Sequence, residues 1–268
     1  MQPILNSPPI LPAKQRIRQA FNQVATTYDT AAEVQREVSD RLAAHLIQIS
    51  GNLNPKAILD AGGGTGYGAQ QLQLQWPDAE MTMIDFAPRM LIAARTQLTE
   101  AALICADIEH LPVADQCFEL YWSSLAWQWN DPHRCLAEAR RVLKPGGALA
   151  VATLGANNFP ELRHAFATLD DYRHVLTIPA PEHLLTACQA SNCEVWRWDR
   201  QPVRRYFPDL RTLLRSVKAV GAREVEQRRP TPFSRSTWHA LTARYETLRE
   251  PAGLPLTYDA VWLIAIRP

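Results

Sequence analysis

Apolar positions follow two different spacings along the chain. Between 33 and 49, Val34, Val38, Leu42, Leu46 and Ile49 recur at helical intervals, and residues 14 to 30 read as a helix before them. Beyond 56 the apolar positions gather into short runs: Ile58-Leu59 before Asp60, Met81 to Ile84 before Asp85, Leu103 to Ala106 before Asp107, Phe118 to Ser124, and Ala148 to Leu154. Helical stretches separate most of them, from Gly66 to Trp76, from Pro88, and from Asp131. Pro88 and Pro132 fall in first helical turns, where the missing amide would have had no partner. Short buried strands alternating with helices predict an α/β domain, a mainly parallel sheet with right-handed crossovers. From 155 the pattern changes to a helical insertion, a helix at Pro181 to Ala190 and a sixth strand around Glu194 to Val203. A second insertion follows from Pro208 to about Glu250, then a buried last strand from Tyr258 to Ile266.

Sheets of this kind bind ligands at the carboxyl ends of their strands, where three runs finish in Asp60, Asp85 and Asp107. Behind Asp60 comes Gly62-Gly63-Gly64-Thr65-Gly66, a turn in which glycine lets a ligand approach the backbone. Its spacing fits neither the dinucleotide pattern nor the P-loop, so the turn alone leaves the nucleotide open. Asp85, roughly 20 residues beyond, stands where such folds hold a ribose diol. Asp107 is placed to accept from an adenine amino group. A row of three carboxylates repels phosphates and suits a cationic sulfonium carrying an amino acid, a ribose and an adenine.

Composition narrows the class. A chain of 268 residues can bury a sizeable core without splitting into two domains. No run approaches a membrane span of about 18 apolar residues. Pro3, Pro8, Pro9 and Pro12, without a basic start, read as a loose tail over 1–13 rather than a signal peptide, leaving one domain over 14–268 and a cytoplasmic enzyme. The five cysteines form no C-x-x-C pair and no histidines stand as H-x-x-x-H, so no metal is expected. Net charge is +1, yet residues 197–235 hold eleven arginines and lysines against four acids. That patch suits an acidic partner, with a nucleic acid or simple solubility as rivals; its interleaved aromatics are few, Tyr206 and Phe233 among them, which argues against nucleic acid.

Residues 56 to 154 resemble the class I S-adenosylmethionine-dependent methyltransferases. The resemblance rests on the glycine turn, Asp85, the Asp107-Ile108 pair, the strand Phe118 to Ser124 and the stretch Arg141-Val142-Leu143-Lys144-Pro145-Gly146-Gly147. It implies a doubly wound, seven-stranded, mainly parallel sheet with helical lid insertions at about 14–50, 155–178 and 208–250. It further implies S-adenosylmethionine held by Asp60, Gly62, Gly64, Asp85, Phe86, Asp107, Ile108 and Ser123. Outside that core, the chain is similar to the malonyl-acyl-carrier-protein O-methyltransferases of biotin synthesis. The matching pieces are Ala20-Phe21 with Tyr28-Asp29, Leu125 to Trp129, Thr153 to Gly155 with Leu162-Arg163, Asp209-Leu210, Leu214 to Ala222, and Thr257-Tyr258. One departure is Gly63, where the family's turn usually carries cysteine.

The second resemblance implies methyl transfer to the free carboxylate of a malonyl thioester, on an acyl carrier protein or coenzyme A, with S-adenosylhomocysteine as product. A malonyl carboxylate is already ionised at neutral pH and needs no general base, which leaves placement and desolvation. An anion taken from water must be met by donors. Tyr28, Gln128, Arg215 and Lys218 are the candidates, each in a family-like motif on a lid or at a strand end. Arg215 and Lys218 share a helix face by their spacing; Arg215 is assigned to the carboxylate and Lys218 to docking of the acidic carrier, with a solvated face as the alternative. For Tyr28 the alternative is packing under the lid, for Gln128 a loop hydrogen bond, and Arg163 falls to a surface role. Two other functions stay open: methylation of a small apolar molecule such as a quinone precursor, and a non-catalytic interaction protein, against which Gly62, Asp85 and Asp107 argue.

Overall fold

The computed structural model describes residues 12–49, 51, 53–167, 169–170, 172–221 and 233–268. Strands β1 (Ala57–Ala61), β2 (Glu80–Asp85), β3 (Ala102–Cys105), β4 (Phe118–Ser124), β5 (Leu143–Leu154), β6 (Glu194–Phe207) and β7 (Leu254–Ile266) form one seven-stranded sheet in the order β3-β2-β1-β4-β5-β7-β6. The β1–β5 neighbours pair parallel, and β7 runs antiparallel between β5 and β6. The order reverses between β1 and β4, the switch point at which a crevice opens.

Helices α1 (Pro12–Val24), α2 (Tyr28–Ala31), α3 (Glu33–Ile49), α4 (Tyr67–Gln75), α5 (Pro88–Arg95), α6 (Pro132–Val142), α7 (Pro160–Phe166), α8 (Glu182–Ala190), α9 (Leu210–Ala219) and α10 (Arg235–Glu246) surround the sheet. One core joins Val34, Val38, Leu42 and Leu46 of α3 to Leu72 of α4 and the sheet; the other joins Leu136 of α6 and Leu184 of α8 to the opposite face. The sheet is therefore doubly wound, as the strand and helix spacing predicts. Nearly all of β7 is buried, and from Ala260 to Ile266 its sequence is a continuous apolar run.

Three boundaries differ from the sequence reading. The helix expected over 14–30 breaks into α1 and α2, because Thr27 turns its amide and hydroxyl back onto Val24 O. Strand β6 extends to Phe207 and β7 begins at Leu254, since the two pair along their whole length. Helix α1 starts at Pro12, inside the stretch read as a tail; the rest of that tail and part of the second insertion lie outside the described residues. Among the described residues no helix is long and apolar enough to cross a membrane.

Candidate active site

The glycine turn is pinned to the end of β2: Gly62 and Gly63 both donate their amides to Ile84 O, at 2.7 and 3.2 Å. Gly62 has φ +78°, and a Cβ there would lie 2.3 Å from Ala126 Cβ; Gly64 has φ +59° and nothing within 4 Å of its missing side chain. Only glycine serves both positions without strain. At Gly63 a Cβ would fall 2.5 Å from Met83 Cγ and 2.8 Å from Asp60 Oδ2. Met83 thus fills the room that a cysteine in this turn would need.

Above the turn lies a cleft of about 960 Å³, counting space open to solvent, lined by Asp60, Gly62, Gly64, Asp85, Phe86, Asp107 and Ile108. Seven of the eight residues expected at the cofactor are brought together here. Ser123 is the exception: it is fully buried and donates to Ala61 O at 2.6 Å, while its neighbour Ser124 lines the cleft. Successive residues of a strand face opposite ways, which turns the Ser124 side chain rather than that of Ser123 to the cleft.

Asp85 accepts the Gly64 amide at 2.9 Å and the Ala87 amide at 2.8 Å, each oxygen keeping a lone pair for a ligand hydroxyl. Burial pushes its carboxyl up to about 6 in spite of those two donors. Burial, reinforced by the charge of Asp85, pushes Asp60 up to about 7. Asp60 Oδ2 and Trp122 Nε1 are buried without partners, and both residues line the cleft. An acceptor and a donor left unmet in a negatively charged floor fit a ligand with its own polar and cationic groups. Asp107, Glu109 and His110 have ligand atoms within 4.8 Å of one another, but the Lys14 ammonium already stands against both acids, at 2.6 and 2.8 Å.

The roof is the N-terminal lid. Thr65 Oγ1 donates to Asp29 Oδ1 at 2.6 Å, and Arg36 holds Asp29 O, so α2 is fastened to the glycine turn. Tyr28 lines the cleft; burial first, then the charges of Asp85 and Asp29, push its phenol well above the usual range, so it stays a donor. A second cavity of about 1,300 Å³, again counting open space, adjoins the first, and Phe21, Tyr28, Gln35, Leu125 and Trp129 line both. No acidic residue among the described residues lines this second cavity, whereas Lys218 and His174 do. Leu125 and Phe159, on its wall, each take φ +55°, the kind of backbone strain that collects at functional sites.

Gln128 lines the second cavity with its amide already committed, donating to Leu125 O at 2.7 Å and accepting from Thr153 at 3.4 Å. The loop hydrogen bond is thus what the structure contains. Lys218 lines the second cavity and Arg215 does not, although both are exposed on α9. Most of the basic strand is also neutralised: Arg197 pairs with Asp199, Arg200 with Asp259 and Glu182, Arg204 with Glu250, and Arg205 with Glu33 and Glu37. All but Asp199 lie outside 197–235, so a count along the sequence could not include them. Arg163 is half-buried, holding Asn158 O and Leu176 O rather than lying on the surface. Gln35, Lys14 and His174 carried no motif that would have marked them.

The pattern described as a methyltransferase domain matches residues 59–151. A geranyl diphosphate C-methyltransferase from Streptomyces coelicolor A3(2) superposes with a TM-score of 0.59 over 97% of this chain and 100% of that one, at 13% identity, which shows the shared fold. The biotin biosynthesis bifunctional protein BioHC of Cellvibrio japonicus is 34% identical over 95% of this chain and 50% of its own length. The malonyl-acyl-carrier-protein O-methyltransferase of Dechloromonas aromatica is 44% identical over 255 residues, 95% of either protein. With that identity over that coverage, the chain belongs to the malonyl-acyl-carrier-protein O-methyltransferase family.

Proposed function

We propose that this chain transfers a methyl group from S-adenosylmethionine to the free carboxylate of malonyl-acyl-carrier protein, giving the malonyl methyl ester that opens pimeloyl and biotin synthesis. The observation that carries the reading is the pair of adjoining cavities: one floored by Asp60, Asp85 and Asp107, the other without an acid, and both sharing Tyr28. The first suits a cation, the second an anion, and they meet under the lid. When bound, the sulfonium supplies an electrophilic methyl; a carboxylate lone pair forms the new O–C bond, the C–S pair returns to sulfur, and no proton moves.

The residues' work is accordingly to hold and to exclude water. Asp85 is assigned to the ribose hydroxyls, Asp107 to the adenine amino group, and Asp60 with Gly62 and Gly64 to the amino-acid end. Tyr28 closes the lid and offers its hydroxyl at the junction. Lys218 offers an ammonium to the anionic substrate, which the second cavity meets with no opposing charge among the described residues. Arg215, exposed one turn away on α9, is assigned to the acidic carrier. The free state of all five cysteines fits a reducing cytoplasm.

A substrate panel tests this reading. Malonyl thioesters should accept one methyl group, while acetyl thioesters and malonyl methyl esters should accept none. Turnover of an uncharged quinone precursor at the malonyl rate would transfer the assignment to that class.

A further inference from the structure

Among the residues lining both cavities, Gln35 stands in a condition none of the others shares. It sits in the first turn of α3, whose Val34 and Val38 are buried in the core, so Gln35 and Ser39 face the cleft together. Ser39 is satisfied, donating to Gln71 at 2.9 Å. Gln35 Oε1 is buried with no hydrogen-bond partner. Buried amides are nearly always paired, because the hydrogen bonds lost to water must be replaced. A carboxamide with one buried end unmet, at the junction of a cation site and an anion site, points to a ligand that completes it.

The chemistry at that point selects the ligand. The amide's two ends are interchangeable by rotation, so it can present its NH2 to the junction. As the O–C bond forms, the carboxylate loses its negative charge. Lys218 can attract the anion into the cavity, but a full cation in direct contact with the attacking oxygen would stabilise the ground state more than the transition state, and would also repel the sulfonium. A neutral N–H donor holds the anion in line with less of that penalty. Gln128, the other glutamine on the second cavity, has both amide atoms engaged within the protein.

We infer that Gln35 is a substrate-binding residue for the methyl transfer: its amide donates to the malonyl carboxylate and holds the attacking oxygen toward the cofactor cleft. The inference rests on the malonyl reading above. Its test measures kcat/KM on malonyl-coenzyme A and the affinity for S-adenosylhomocysteine by calorimetry, for Gln35→Ala, Gln35→Met and Gln35→Glu. Met keeps the volume without the hydrogen-bonding atoms, so a folding loss in the Ala variant does not remove the test. The expected result is a fall in kcat/KM of at least about tenfold for Ala and Met, larger for Glu, with product affinity within about twofold of wild type. Wild-type kcat/KM in the Met variant overturns the assignment. So does a matching loss of S-adenosylhomocysteine affinity, which would make Gln35 a cofactor ligand. Inactivity of the wild-type enzyme on malonyl thioesters is a different result and strikes the parent reading.

Discussion

Lys14 reaches from α1 to Asp107, its Nζ 2.8 and 2.6 Å from the two carboxylate oxygens, and touches Glu109 Oε1 at 2.8 Å. The lysine side chain is only 12% exposed, so the pair is sheltered from salt and water. On the same helix Asn22 Oδ1 accepts the Arg89 amide at the start of α5, and Phe21 packs edge-on against Phe86 and Trp129. Helix α1, the start of α5 and the loop at Asp107 are therefore one packed unit.

Lys14→Met should leave Asp107 and Glu109 close together without their cation. Removing one partner of a sheltered pair costs about 1–3 kcal/mol, so thermal unfolding should move down by several degrees, and Lys14→Arg should recover most of it. Product affinity should fall with it, because the lid loses its anchor beside Asp107. An unchanged melting temperature in Lys14→Met would show the contact to be energetically idle.

Both buried acids of the cleft floor have raised carboxyls, and the sign follows from that. Asp60, at about 7 when folded against 3.8 in the free side chain, binds more protons folded than unfolded. Its contribution to stability is full below about pH 4 and is lost as pH rises toward 7; Asp85, at about 6, acts in the same direction over a narrower window. A cationic ligand reverses this by favouring the ionised acids. Calorimetry at pH 6 in buffers of different ionisation enthalpy should detect proton release on S-adenosylmethionine binding, and affinity should rise from pH 5.5 to 8. Binding with no proton exchange would contradict the coupling.

Gly63 and Met83 should behave as a pair. A Cβ at 63 meets Met83 Cγ at 2.5 Å and Sδ at 2.8 Å, so Gly63→Ala should destabilise by roughly 1–3 kcal/mol. Met83→Val, which withdraws the end of that side chain, should restore much of the loss in the double variant, read as melting temperatures in a double-mutant cycle. Strict additivity would show that the two side chains do not compete for the space.

Salt separates Arg215 from Lys218 on α9. Lys218→Ala should lower turnover on malonyl-coenzyme A and on malonyl-acyl-carrier protein alike, since the residue lines the cavity that either acyl group would enter. Arg215→Ala should affect the carrier-bound substrate alone, through a loss that shrinks as salt is added. The opposite pattern would restore the roles that the sequence alone suggested.

Much of the cofactor end was legible in the sequence because it is local. Strand, carboxylate and glycine turn follow one another in the chain, and the sheet then lines up Asp60, Asp85 and Asp107. Which of Ser123 and Ser124 faces the cleft was not legible, because strand ends do not announce which face a given residue takes. The substrate side was less legible because its determinants are contacts between distant segments. Arg205 meets Glu33 and Glu37, and Gln35 stands out only through a buried Oε1 that has no hydrogen-bond partner among the described residues.

The most direct measurement of malonyl carboxyl methylation uses methyl-labelled S-adenosylmethionine and malonyl-acyl-carrier protein in a single turnover, with the carrier's acyl group located by fragment mass spectrometry. One labelled methyl on the distal carboxylate, as an ester, is the predicted result. Label on the thioester side, on carbon, or on the carrier's own side chains would contradict it, as would none at all from a folded enzyme that binds S-adenosylhomocysteine.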